Sequence, residues 1–224
     1  MSRTIGPTMI LVLALSAGIA KAQPDRPLPL DPLTAQERAL TDTIVRSDAR
    51  VREFLAGGPN RLINIDFIAV KTPRESATRD EVPPSRRTAE AVLYRYDTNQ
   101  GILVLVDIGR RVVTDIARVP GESVPINNDE VAQAAKLALA DRRVIQLFGG
   151  RMPAFRVATG PATEAETDQP RIEGLRTIGA TPEDPCYRRR CVVLFFRVNN
   201  RYVQMNRVFV DLISQRVIIR EGEQ

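Results

Sequence analysis

One property constrains this chain more than any other: it says the same thing twice. PLTAQERALTDTIVRSDARVREFLAGG, starting at Pro32, aligns at an offset of 93 with PINNDEVAQAAKLALADRRVIQLFGG, starting at Pro125. Pro32, Leu33, Thr34 and Glu37 fall on Pro125, Ile126, Asn127 and Glu130, and Asp48, Arg50, Val51 and Gly57 fall on Asp141, Arg143, Val144 and Gly150. Thr34 and Asn127 can accept from the orphan amides of a first helical turn, with Glu37 and Glu130 reaching back from the third position. Leu40, Ile44, Val51 and Leu55 then recur at helical spacing, as do Val131, Ala135, Leu137 and Val144. Gly57-Gly58 and Gly149-Gly150 suit C-caps. The pattern predicts two helices, over 34–55 and 128–148.

Strand-like material follows each helix. In the first half it comprises 61–70, 88–96, 102–108 and RVVTDIARV, with a polar, Pro-rich loop at 72–87. The second half offers 152–159, an acidic Pro/Gly-rich loop over 160–185, then 191–198, 201–212 and 216–221, with a turn at Asn199-Asn200. VLVDI ends at Ile108 and VFVDL at Leu212, so Asp107 and Asp211 are 104 apart and the second unit has gained 11 residues, placed in its long loop. Alternation in the strands implies one face on the helix and one exposed. The expected fold is α+β: two tandem subdomains, 32–121 and 122–224, each a helix laid on an antiparallel sheet.

The N-terminus reads as an address. Arg3, an apolar stretch from Thr8 to Ala20 and Ala20-Lys21-Ala22 match a secretory signal peptide over 1–22, followed by a linker at 23–31. The apolar stretch is shorter than the ~20 residues of a membrane-spanning helix. Processing would leave 202 residues and lower the formal charge from +5 to +3, a surplus too diffuse for a nucleic-acid-binding face. A secreted or periplasmic location, with no transmembrane segment after processing, is the expectation.

In order and spacing, these motifs resemble the two N-terminal accessory domains, N2 and N3, of copper amine oxidases. Pro32-Leu33-Thr34 with Glu37, then Pro83-Pro84 and Arg87 before AEAVLY, VLVDIGRRVV, and Gly121 with Pro125 carry the likeness in the first unit. CVVLFFRV, Asn200-Arg201-Tyr202 and VFVDLISQRVI carry it in the second. The resemblance spans about 30–220. It implies a cystatin-like fold and modules that flank a catalytic β-sandwich without performing its chemistry. Members of that family oxidise primary amines with copper held by three histidines and a quinone made from a tyrosine in an Asn-Tyr-Asp/Glu context. Here Tyr94, Tyr96, Tyr187 and Tyr202 all lack that context, and the sequence contains no histidine, the ligand such copper needs. No catalytic residue, metal ligand or cofactor is carried over. A counterpart of the catalytic domain is not expected in this chain.

The remaining candidates are few. Cys186 and Cys191 have the wrong spacing for a redox dithiol and too few companions for a metal site. In an exported protein they most simply form a disulfide, whose short loop gives about 2 kcal/mol. Tyr187, Arg188, Arg189 and Arg190 would be displayed on that loop, either to grip an acidic partner or anionic headgroups, or as a solvated run paired with Glu183 and Asp184. Gln146-Leu147-Phe148-Gly149-Gly150 imitates a cystatin inhibitory hairpin but is expected to end a helix. Asp107 and Asp211 precede tight turns, where Asp caps local backbone. A serine nucleophile would lack a histidine base.

The resulting expectation is a non-enzymatic binding or accessory module with an unidentified protein partner; a dimer is compatible with it. Its rivals are an accessory chain of a separately encoded amine oxidase, an exported protease inhibitor, and a histidine-free enzyme.

Overall fold

The computed structural model describes residues 31–68, 87–158, 169–179 and 181–220. The proposed signal peptide, most of the 23–31 linker, nearly all of the 72–87 loop and the start of the 160–185 loop lie outside them. Two sheets organise the chain. The first contains four antiparallel strands in sequence order: β1 (Asn60–Ile68), β2 (Thr88–Arg95), β3 (Gln100–Asp107) and β4 (Val112–Pro120). The second contains β5 (Arg156–Val157), β6 (Arg171–Thr177), β7 (Cys191–Val198), β8 (Arg201–Asp211) and β9 (Arg216–Ile219), again in order, antiparallel except for the β5–β6 pair.

Each sheet carries a broken helix rather than the continuous one expected. α1 (Ala35–Ser47) stops and α2 (Ala49–Leu55) restarts at Asp48; α3 (Asn128–Ala140) stops and α4 (Arg142–Leu147) restarts at Asp141. Both aspartates have extended backbone, with ψ of 131° and 121°. The physical reason is local. Asp48 Oδ1 accepts the Arg50 amide at 2.9 Å and Asp141 Oδ1 the Arg143 amide at 2.8 Å. An aspartate that can cap a new helix start competes with the interior of the old helix. Apolar spacing continues through the break, since Val51 and Val144 are fully buried on the same side as the preceding turns.

The helix starts form as read. Thr34 Oγ1 accepts the Glu37 amide at 3.1 Å and Glu37 Oε2 accepts the Thr34 amide at 2.9 Å. Asn127 and Glu130 repeat the arrangement at 3.0 and 3.1 Å. One core lies between α1–α2 and the first sheet, around Val45, Val51, Ala91, Val104 and Val106. A second lies between α3–α4 and the other sheet, around Ala134, Ala138, Leu194, Phe196 and Val210. Each of the larger side chains among them, Val, Leu and Phe, contributes roughly 1.5–3 kcal/mol on burial.

Two strands depart from expectation. The stretch 152–159 yields only the two-residue β5, while β6 lies inside what reads as loop. Gly174 explains β6: a Cβ there would lie 2.7 Å from Val131 Cγ1, so α3 packs directly on that strand.

The outer faces of the sheets differ. Ile63, Val92 and Tyr94 cover one side of the first sheet and are buried beneath Val124. Cys191, Val193 and Phe209 cover the second sheet beneath the cystine loop.

Candidate functional site

The most concentrated chemistry lies where the first sheet meets the start of α3. Arg190, the residue before β7, has no solvent exposure, and neither has Glu130. Its Nε donates to Glu130 Oε1 at 2.6 Å and its Nη2 to Oε2 at 2.7 Å. The remaining donors close on backbone: Nη1 on the Val124 carbonyl at 3.0 Å and Nη2 on the Pro125 carbonyl at 2.5 Å. Its guanidinium lies 4.0 Å from the Tyr94 ring centroid, and Tyr96 donates its hydroxyl to Glu130 Oε1 at 2.6 Å. A bidentate ion pair, a cation–π contact and a phenol therefore converge in one dry volume.

Electrostatics follow from that packing. Burial pushes the Glu130 carboxyl upward, but the Arg190 guanidinium and the Tyr96 hydroxyl outweigh it, and the group sits below its usual range. Burial raises the Tyr94 phenol to about 12, and burial with the Glu130 contact raises the Tyr96 phenol further. These are settings for holding charge in place. A general base would need a carboxyl poised near neutrality.

The same clasp exists in the first half. Arg87, the residue before β2, donates to both oxygens of Glu37, with Nη2 to Oε2 at 2.8 Å. It also donates to the carbonyls of Asp31 at 3.0 Å and Pro32 at 3.1 Å. Those acceptors sit 93 residues before Val124, Pro125 and Glu130. The two sites are thus one motif: an arginine one residue ahead of an interior strand of the helix-bearing sheet, β2 or β7, clamping the helix cap and the two carbonyls leading into it. Arg87 and Glu37 keep 14% of their side-chain surface exposed; the second pair keeps none.

Arg190 corrects the expectation of three arginines on display, because it is spent inside the protein. Arg189 is half exposed and donates to Asp211 Oδ2 at 2.8 Å. Arg188 is exposed and lies over the Tyr187 ring at 5.2 Å. The expected pairing with Asp184 is also replaced, since Arg220 Nη2 donates to both Asp184 oxygens at 2.7 Å and the Cys186 amide donates to Oδ1 at 2.8 Å. The loop is held at its ends by Cys186 and Cys191, whose sulfurs lie at disulfide distance with Cα atoms 5.6 Å apart. It touches the first half through Asn99, which donates to the Arg188 carbonyl at 2.5 Å.

Asp107 and Asp211 act as backbone caps. Asp107 accepts the Arg110 amide at 2.9 Å; Asp211 accepts the Ile213 amide at 2.9 Å and the Ser214 hydroxyl at 2.7 Å. Among the described residues no cluster of His, Cys, Asp and Glu could hold a metal ion.

Beside the cystine loop lies an open cleft of 570 Å³. The loop forms one wall, the β8–β9 turn another, and β9 the floor, with Arg143 reaching in from α4. On the edges of the first sheet, Arg38 donates to the Ile65 carbonyl of β1, and Asp115 accepts the Ile116 amide of β4.

Two sheets, antiparallel but for the β5–β6 pair, each with a broken helix on one face and a repeated arginine clasp, define this protein at the level of class. A copper-containing benzylamine oxidase from Hansenula polymorpha has a similar fold, with a TM-score of 0.50 at 13% identity over 87% of this chain. The chain spans 30% of that oxidase. At this identity the likeness concerns the amine-oxidase-like fold alone. No protein-family model and no curated protein matches the sequence.

Proposed function

We propose that the chain is an exported, non-catalytic binding module built from two cystatin-like units, 32–121 and 122–224, of the N2/N3 type that accompanies copper amine oxidases. One observation carries the reading. Among the described residues, the buried carboxylates Glu130, Asp107 and Asp211 are each engaged in holding a helix cap, a turn or the junction. The sequence also supplies no histidine for copper. A cysteine pair at disulfide distance accords with an oxidising compartment. Among the described residues no helix is long and apolar enough to cross a membrane.

A second reading, an accessory chain serving a separately encoded amine oxidase, draws on the 87% of this chain that follows the oxidase fold. The inhibitor reading gains nothing from the geometry, because Gln146-Leu147 ends α4 rather than forming a hairpin. The test is oxygen uptake by the purified chain with benzylamine after incubation with copper, beside affinity capture from a periplasmic extract. The module reading expects no turnover, no stoichiometric copper and a saturable protein partner. Copper-dependent amine oxidation by this chain alone overturns it.

A further inference from the structure

The two outer edges of the second sheet are finished differently. On β9 the Val217 carbonyl is taken by Arg143 Nη2 at 3.0 Å. On the other side β5 covers only the start of β6, pairing Arg156 with Arg171 and Val157 with Ile172. The Ala158 amide then donates to the Ile172 carbonyl at 2.8 Å. Ile172 therefore turns its main-chain groups away from β7. The period of two gives Gly174 and Arg176 the same sense, since β6 pairs with β7 without a register shift. Neither residue makes a main-chain hydrogen bond on that side among the described residues.

Beside this open edge stand Leu175 and Ile178, 61% and 52% exposed, the two most exposed large apolar side chains among the described residues. An unpaired edge flanked by apolar side chains is a template for another strand. The stretch 173–177 specifies which. Outward-facing residues must lie opposite outward-facing ones, so a two-fold antiparallel pairing of β6 with itself can centre on Gly174, Leu175 or Arg176. Centring on Gly174 sets Arg176 of one copy against Ile172 of the other, whose carbonyl Ala158 already holds. Centring on Arg176 opposes two like charges. Centring on Leu175 leaves no such conflict. Gly174 of each copy then exchanges both main-chain bonds with Arg176 of the other, and Glu173 lies opposite Thr177. The two Leu175 side chains meet in a non-hydrogen-bonded pair, where opposed side chains approach most closely.

We propose that the protein forms a two-fold dimer in which the β6 edges of two copies pair antiparallel about Leu175, joining their sheets into one. The inference is independent of the binding-module reading. So short a pairing lies at the weak end of specific interfaces, and a dissociation constant of about 0.1 mM is expected.

The test is sedimentation equilibrium of the full chain over about 5 µM to 1 mM, a range that brackets that affinity. A monomer–dimer equilibrium is expected. Leu175→Lys and Leu175→Glu change an exposed position and should keep the wild-type urea midpoint, yet each should weaken association about tenfold or more by opposing like charges on the axis. Mixed in equal amounts, the two variants should associate again to within about threefold of the wild type, because self-pairing sets position 175 of one copy against position 175 of the other. A chain that stays monomeric to the top of this range, a dimer untouched by either charge, or variants that stay apart when mixed overturns the proposal. A monomeric wild type whose capture of a periplasmic protein is abolished by Leu175→Lys overturns it in favour of a foreign strand on the same edge. Copper-dependent amine oxidation would defeat the module reading without bearing on the dimer.

Discussion

Arg87–Glu37 and Arg190–Glu130 are the same contact made in different surroundings. Both are bidentate, both tie a helix cap to the strand that follows the loop, and both draw on the two carbonyls before the helix. The first lies against Phe67 with its guanidinium 5.6 Å from the ring centroid and retains contact with water. The second is sealed by Tyr94 of β2 and by Tyr96, which follows that strand. The difference teaches that a local cap becomes a joint when a neighbouring surface covers it. Sealing makes each bond electrostatically stronger and each lost partner more costly.

The largest expected effect breaks the buried member. Arg190→Met should destabilise the protein by about 3–5 kcal/mol in urea unfolding, because Glu130 is left charged and dry. If that variant fails to fold, the Glu130→Leu/Arg190→Met double variant decides the matter. It should recover much of the loss, since no orphan charge remains. A double variant worse than either single would show that the ion pair itself, rather than its desolvated remnant, holds the junction.

Next comes the loop that delivers Arg190. Cys186→Ser/Cys191→Ser should cost about 2 kcal/mol through the unfolded chain alone, read from the denaturant midpoint. A larger loss, absent in the Arg190→Met background, would mean that the cystine also positions the arginine.

The exposed clasp should give less: about 1–2 kcal/mol for Arg87→Met, given its residual solvent contact. Its signature is pH. Hydrogen bonding from Arg87 holds the Glu37 carboxyl at about 2, below its unfolded value near 4.5. A depressed folded pKa stabilises above the unfolded pKa and loses that contribution as pH falls through the folded one. Stability of the wild type should therefore fall between roughly pH 4.5 and 2 through this group, and Glu37→Gln should flatten that segment of the acid-unfolding curve. Smallest and most nearly equal are the helix breaks. Asp48→Ala and Asp141→Ala should each cost about 1 kcal/mol, because both caps are exposed to similar solvent. A large disparity there would deny the equivalence of the two halves.

Much of this comparison was legible in the residues. Thr34 with Glu37 and Asn127 with Glu130 announce helix starts by a short-range pattern that needs no tertiary information. The breaks at Asp48 and Asp141 were hidden because Val51 and Val144 keep the apolar period running across them. β6 was hidden because Gly174 and its charged neighbours read as loop until α3 is packed on the strand. Burial of Arg190 was the deepest omission: three consecutive arginines read as solvated, and only their surroundings decide otherwise. A signal was present all the same. Arg87 precedes Thr88 and Arg190 precedes Cys191 at equivalent strand starts, so the repeat assigns Arg190 the role of Arg87.

The glycines after the helices show the repeat diverging in its needs. Gly149 and Gly150 take positive φ, at 70° and 80°, and meet nothing. Gly57 and Gly58 instead leave room for Arg95 and for Asp97, which a Cβ on Gly58 would approach to 2.7 Å. One pair is kept for backbone freedom, the other for space.

Tyr94 and Tyr96 also impose an order of events. During synthesis the first sheet leaves the ribosome before α3 and well before Arg190, so it waits with two tyrosine rings wet. Maturation of that surface is therefore tied to the arrival of residues nearly a hundred positions later, and a nascent chain halted before β7 would carry a sticky, half-finished flank.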